Sequence, residues 1–229
     1  DDVMNSQREV IYKKRRHALL GERIGVDIAN NMYDVCEALV EEHKEANDLE
    51  GFRMDVLKYF AVDFDIKEED FQKTSANNLT ERLYKEVRDT FSRKTETIAK
   101  QAFPVIKNVF EQRGEMFKNI VVPFTDGKRA YNVVANLEKT YKSEGEELIR
   151  AYEKSIMLAH IDDAWKEHLR EMDDLKQSVQ NATYEQKDPL LIYKFESFNL
   201  FKSMVDKINK NVVSTLMKGQ IPFEAPEEV

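Results

Sequence analysis

The residues that could do chemistry are few and scattered. The glycines stand at positions 21, 25, 51, 114, 127, 145 and 219. A phosphate-cradling loop needs clustered glycines, so that backbone N–H groups can approach the phosphates. Neither Gly-x-x-x-x-Gly-Lys-Ser/Thr nor Gly-x-Gly occurs. The chain is therefore expected to hold no nucleotide site of its own, no cofactor and no catalytic residue. A carboxylate-bridged di-metal site in a helical bundle uses Glu-x-x-His pairs facing inward. The residues three before His17, His43, His160 and His168 are Lys14, Val40, Met157 and Trp165, and none is Glu. His160, Asp163 and Glu167 share a helix face, but an exposed charged face produces such a trio often, so no metal is expected. Cys36 is the only cysteine, which rules out an internal disulfide and a multi-cysteine zinc site. Next to Val35 on a helix face, it reads as core rather than nucleophile. His168 reads as a buried histidine bonded across a helical hairpin or to another helix. Catalysis would need a nucleophile or carboxylate partner in a cleft, and none is indicated.

The polar stretch Gln180-Asn-Ala-Thr-Tyr-Glu-Gln-Lys-Asp188 is different, because it carries a large aromatic between two apolar helices. Tyr184, flanked by Thr183, Glu185, Gln186 and Lys187, has two open readings. The ring folds back onto the hairpin, or it stays exposed and grips a passing partner. A tyrosine suits the second role, with much apolar area, few rotors and one hydrogen-bonding tip.

The elements that must position this loop are helices. Leu158, Ile161, Trp165, His168, Met172, Leu175 and Val179 step by alternating threes and fours. That is a heptad seam, with Trp165 as a packing anchor. Asp188-Pro189 reads as an N-cap followed by a proline at the first helical position. The helix after it carries Leu191, Phe195, Phe198, Phe201, Val205, Ile208, Val212 and Leu216. Its apolar face is wide enough to pack on two neighbours, or to stay partly uncovered. Residues 137 to about 180 read as one long helix, and a short polar loop between two long striped helices implies an antiparallel hairpin. Residues 1–45 read as one long helix, with Ile24, Ile28, Met32, Val35 and Leu39 on one face and a bend allowed at Gly21 or Gly25. Lys13 to Arg16 reads as a solvated basic turn.

Between these segments, residues 46–145 are more broken. Asn78 reads as an N-cap with Glu81 at N3. The helix that follows should kink or end at Pro104. Residues 119–134 read as a β-hairpin with a two-residue turn at Asp126-Gly127. Pro123 must then face away from the ladder, and the ribbon must lean on helices. Residues 220–229, with Pro222 and Pro226, read as a loose tail. The fold class expected is mainly all-α: a long scaffold helix packed with a helical hairpin, plus a helical wing carrying a small β-hairpin.

Composition agrees with long helices. The 229 residues include 34% charged side chains but only 7 glycines and 5 prolines. The net charge of −8 argues against a general nucleic-acid binder. Mean hydropathy is −0.61, and no apolar run approaches the ~18 residues that read as a membrane span. The chain opens Asp-Asp-Val rather than on Met, so a segment of a longer protein is expected.

Four blocks carry a family resemblance. Trp165-Lys-Glu-His-Leu169, Met172-Asp-Asp-Leu-Lys176, Tyr184-Glu-Gln-Lys-Asp-Pro189 and Tyr193-Lys-Phe-Glu-Ser-Phe198 resemble the C-terminal helical region of the SecA family, the ATPases that drive preproteins through the bacterial Sec channel. Asp1-Asp-Val3 with Gln7-Arg8 and Ile11-Tyr12 resembles the start of that family's scaffold helix. The resemblance covers roughly 1–45 and 146–219, and between them, where the family has its helical wing, the 119–134 hairpin departs from the family pattern. It implies that ATP and Mg belong to motor domains outside this chain. It also implies that 146–219 is the family's two-helix finger, whose loop contacts the SecY channel and the unfolded preprotein through the aromatic matched by Tyr184. A cytoplasmic location, peripheral on the inner membrane face, and a homodimer are further implications. The competing reading of the residues is a free-standing helical adaptor that binds a partner helix.

Overall fold

The computed structural model describes residues 2–181 and 188–222. Helix α1 (Asp2–Leu20) ends on a backbone device. Gly21 adopts φ +67°, and its N–H donates to the His17 carbonyl at 3.1 Å. That left-handed conformation strains any side chain. Helix α2 (Ile24–Glu45) restarts after Arg23. The single helix expected over residues 1–45 is therefore two, broken at Gly21. Gly25 stays inside α2.

The middle of the chain holds α3 (Leu49–Phe60), α4 (Glu68–Lys73) and α5 (Ala76–Arg113). Phe52 forms an aromatic cluster with Phe64 and Phe71, at ring-centroid distances of 6.0 and 5.5 Å. Lys44 at the end of α2 donates to the Phe71 carbonyl at 2.7 Å, which fastens this cluster to α2. Helix α5 starts earlier than expected. Ser75 is the N-cap, its hydroxyl accepting from the Asn78 N–H at 3.2 Å. Asn78 thus occupies the N3 position and donates where it was expected to accept. Nor does Pro104 end the helix, which runs on to Arg113. Its ring removes one i→i−4 bond, and the apolar face of Ile98, Ala102 and Ile106 remains buried across it.

Strands β1 (Asn119–Thr125) and β2 (Ala130–Asn136) pair antiparallel, with Thr125 opposite Ala130. The connection is four residues rather than two. Asp126 Oδ1 accepts from the N–H groups of Lys128 and Arg129, at 2.9 and 2.8 Å, and Gly127 takes φ +92°. An Asx-type turn therefore does the work assigned to a tighter one. The ribbon leans on helices through Phe124, Tyr131, Val133 and Ala135, all buried. The single helix expected from 137 to about 180 is two, α6 (Leu137–Lys142) and α7 (Glu146–Asn181), parted where Glu144 and Gly145 take positive φ. The two long helices of the hairpin are α7 and α8 (Pro189–Lys218). They pack on each other; α7 also meets β2, α1 and α2, and α8 also meets α2 and α3.

These elements converge on Tyr152 of α7, which is fully buried. Its ring stacks on Phe124 of β1 at 4.3 Å and 11°. Its hydroxyl donates to the carbonyls of Thr215 and Leu216, each at 3.2 Å. Those carbonyls belong to the last turn of α8; Thr215 also accepts from the Gly219 N–H at 2.7 Å, whereas the N–H that would serve Leu216, that of Gln220, is turned to Thr125. Gly219 follows so closely that a Cβ there would lie 1.8 Å from the Tyr152 hydroxyl oxygen. Gln220 then pairs with Thr125 of β1 through two backbone bonds of 2.8 Å, so the tail expected to be loose from residue 220 is docked at Gln220.

Gly219→Ala should lower unfolding stability by about 2–3 kcal/mol through this collision. In a Tyr152→Phe background the same substitution should cost measurably less, because the colliding oxygen is gone. Urea unfolding of the four proteins of this cycle measures the coupling.

Candidate functional site

The candidate site is the outer end of the α7–α8 hairpin. Helix α7 has 36 residues and α8 has 30, hence lengths of roughly 54 and 45 Å at 1.5 Å per residue. Asp188 caps α8: its Oδ1 accepts from the Leu190 N–H at 3.1 Å and the Leu191 N–H at 3.5 Å. Pro189 occupies the first turn. The loop residues singled out from the sequence, Thr183, Tyr184, Glu185, Gln186 and Lys187, lie outside the described residues.

Along the seam, Ile161, Trp165, His168, Met172 and Val179 are buried, while Leu158 and Leu175 are half-buried. The seam is not purely apolar. His168 Nε2 meets Gln7 Oε1 of α1 at 2.7 Å, and Gln7 Nε2 donates to the Ser197 carbonyl of α8 at 3.1 Å. One glutamine amide thus ties three helices together. Because the Gln7 nitrogen is committed to Ser197, its oxygen faces the imidazole, and His168 must carry its proton on Nε2. His168 Nδ1 has no hydrogen-bond partner among the described residues. Burial holds the His168 pKa below the ordinary histidine value, which keeps the ring neutral. Trp165 and Phe201 flank it at centroid distances of 5.5 and 5.8 Å.

Toward the loop, α8 departs from the expectation. Leu191, Phe195 and Phe198 do not join the core: they are 66%, 63% and 65% exposed, and Leu190 beside them is exposed too. The inner half of the same helix buries Met204, Ile208, Val212 and Leu216. The reason is the number of neighbours. The inner half lies at the Tyr152 clamp, whereas the outer half turns Ser197 inward, to Gln7 of α1, and leaves its apolar row outside. The hairpin therefore carries an uncovered apolar row beside its loop.

The residues weighed as a metal trio part company. His160 Nε2 meets Thr215 Oγ1 at 2.8 Å. Asp163 accepts from Arg129 of the hairpin turn at 2.5 Å, and Glu167 pairs with Arg170 at 3.7 Å. Burial, with the Arg129 charge added, lowers the His160 pKa. Cys36 is fully buried and burial pushes its thiol pKa up, which removes it as a nucleophile. Among the described residues, no helix is long and apolar enough to cross a membrane.

Comparison with known proteins agrees with this architecture. The sequence profile of the SecA Wing and Scaffold domain matches residues 1–220. The chain belongs to the SecA wing and scaffold family. It is 52% identical over its whole length to the protein translocase subunit SecA of Parabacteroides distasonis, of which it covers 20%. It is 51% identical to that of Porphyromonas gingivalis, covering 21%, and 53% identical to that of Bacteroides thetaiotaomicron, covering 20%. The chain thus spans about a fifth of the length of these relatives.

Two groups in this SecA segment escaped the sequence reading. Gln7 looked like one polar residue in a charged helix; a partner 161 positions away leaves no periodic trace. Glu153 falls on the face of α7 turned to α5 and is buried. Burial raises its pKa to about 7, against partial opposition from the Arg88 and Arg150 charges. Its place one residue after Tyr152, among helix-face neighbours, was the available signal.

Gln7→Ala should strand the buried His168 Nε2–H, at a cost of about 1–3 kcal/mol. Urea unfolding followed by the fluorescence of Trp165, the sole tryptophan, measures it. For Glu153 the folded-state pKa lies above the unfolded one. Its contribution is therefore fully present below about pH 4.5, fades as pH rises through about 7, and is absent above. Glu153→Gln should flatten that dependence and raise stability at pH 8 by about 1–3 kcal/mol, read from melting curves at pH 5 and 8.

Proposed function

We propose that the chain is the scaffold and wing of a SecA-type protein translocase. It transmits the state of ATP- and Mg-binding motor domains, which lie outside this chain, to a polypeptide moving through the SecY channel. The observation that carries this reading is the cantilever built by α7 and α8. It is clamped at Tyr152, tied to α1 through Gln7, and bare along Leu191, Phe195 and Phe198 toward its loop. Helices are stiff along their axes, so displacement at the clamped root arrives at the loop with little loss. At the loop, Tyr184 presses on the passing chain, with Thr183, Glu185, Gln186 and Lys187 around it. Apolar burial is non-directional, so one ring can hold many sequences in turn. The bare row on α8 supplies a matching apolar flank for the channel. In this reading the chain has no catalytic activity of its own and acts at the cytoplasmic face of the inner membrane, as a peripheral protein.

A photo-cross-linker at position 184 of the full-length protein, engaged with a stalled secretory substrate, should give adducts to substrate and channel. The same group at Met54, 70% exposed on α3, should give neither. Equal labelling from both positions would remove the loop from its role. Tyr184→Ala should slow translocation several-fold while leaving the melting temperature unchanged.

A further inference from the structure

The outer edge of the β-hairpin is only partly paired among the described residues. Asp126 N–H donates to the Arg129 carbonyl, and Leu137 N–H donates to the Lys118 carbonyl. Even-numbered residues of β1 therefore direct their backbone groups at β2, and odd-numbered ones direct theirs away. Thr125 spends its outward pair on Gln220. The next outward rung places Pro123 opposite Pro222 in the register set by that bridge. Neither proline has an N–H, so no ladder bond can form between them. Self-pairing stops after one bridge, and the outward groups of Val121 and Asn119 have no backbone partner among the described residues.

Beside these groups runs a groove of about 500 Å³ between β1 and the second half of α5. Val105, Val109, Phe117 and Ile120 line it, and no charged side chain does. Val105, Phe117 and Val121 are exposed. An apolar, unpaired strand edge is a template for another strand. The two chemistries present, a row of backbone donors and acceptors and an apolar trough alongside, are those that recognise an extended polypeptide by strand addition.

We propose that this groove is a peptide-binding site that takes an extended, apolar stretch of another polypeptide as a strand on β1. The Gln220 bridge shows the mode, since an extended backbone already sits antiparallel on this edge, with Ile221 lining the groove. Specificity is for alternating apolar residues without charge, because the backbone groups read no sequence and the trough offers no counter-ion. The site is independent of the hairpin loop at 182–187.

The test uses the full-length protein and a fluorescein-labelled Val-Thr repeat peptide of about ten residues, long enough to span the open edge. Anisotropy should show saturable binding. Val121→Pro removes one outward N–H and leaves the β2 ladder intact, as Pro123 already does. Val105→Glu puts a charge into the trough from an exposed position. Each should weaken binding at least tenfold, with the melting temperature unchanged; if Val121→Pro melts early, Val105→Glu decides alone. A photo-cross-linker at 105 should label the peptide. The proposal is overturned if the wild type does not saturate or if Val105→Glu binds normally. It is also overturned if the adducts from 105 run to residues after Pro222 or to a second copy. Normal labelling from position 184 alongside any of these results would leave the translocase reading standing.

Discussion

The Tyr152 hydroxyl, buried at the root of the two long helices, donates to the Thr215 and Leu216 carbonyls in the last turn of α8. Its ring stacks on Phe124, so the same side chain holds the β-hairpin. Gly219 follows because nothing larger fits beside the oxygen, and the glycine lets the chain turn back to bridge Thr125. Three segments far apart in sequence are thus brought together by one phenol. A position defined by both hydrogen bonds and packing tolerates little displacement.

From that root the two helices extend with diminishing support. Near it, α8 lies among α2, α3 and α7. Farther out, Gln7 couples His168 to Ser197. A polar tie inside an apolar seam selects one arrangement of the three helices, because any slip strands a buried imidazole N–H away from water. Beyond it the outer face of α8 is bare. Rigid root, registered middle and uncovered end are the features on which the proposed transmission of motion rests, in a chain that belongs to the SecA wing and scaffold family.

Much of this arrangement was legible in advance. The seam residues announced themselves by spacing, and Asp188-Pro189 marked the start of α8 before any coordinates. Elsewhere local signals competed. Ser75 and Asn78 are both good caps three residues apart, and the choice fell to Ser75 because Leu79 and Leu83, both buried, fix the phase of the helix behind it. Asp126-Gly127 suggested a tight turn. The pairing of Thr125 with Ala130 sets the strand register and leaves four residues to span it. The row Leu191, Phe195 and Phe198 has the same composition as the buried row beyond it, and only the number of neighbours separates them.

The sequence by itself determined the mainly helical class, the long hairpin, the β-ribbon and the want of a phosphate loop. Those follow from periodicity, turn residues and glycine spacing, which act over a few neighbouring residues. Only the tertiary structure decided that Tyr152 clamps α8, that Gln7 bridges three helices, that Glu153 is buried with a raised pKa, and that β1 keeps an open edge. Each of these depends on which distant groups share a place and whether water reaches them, and local sequence carries no record of either.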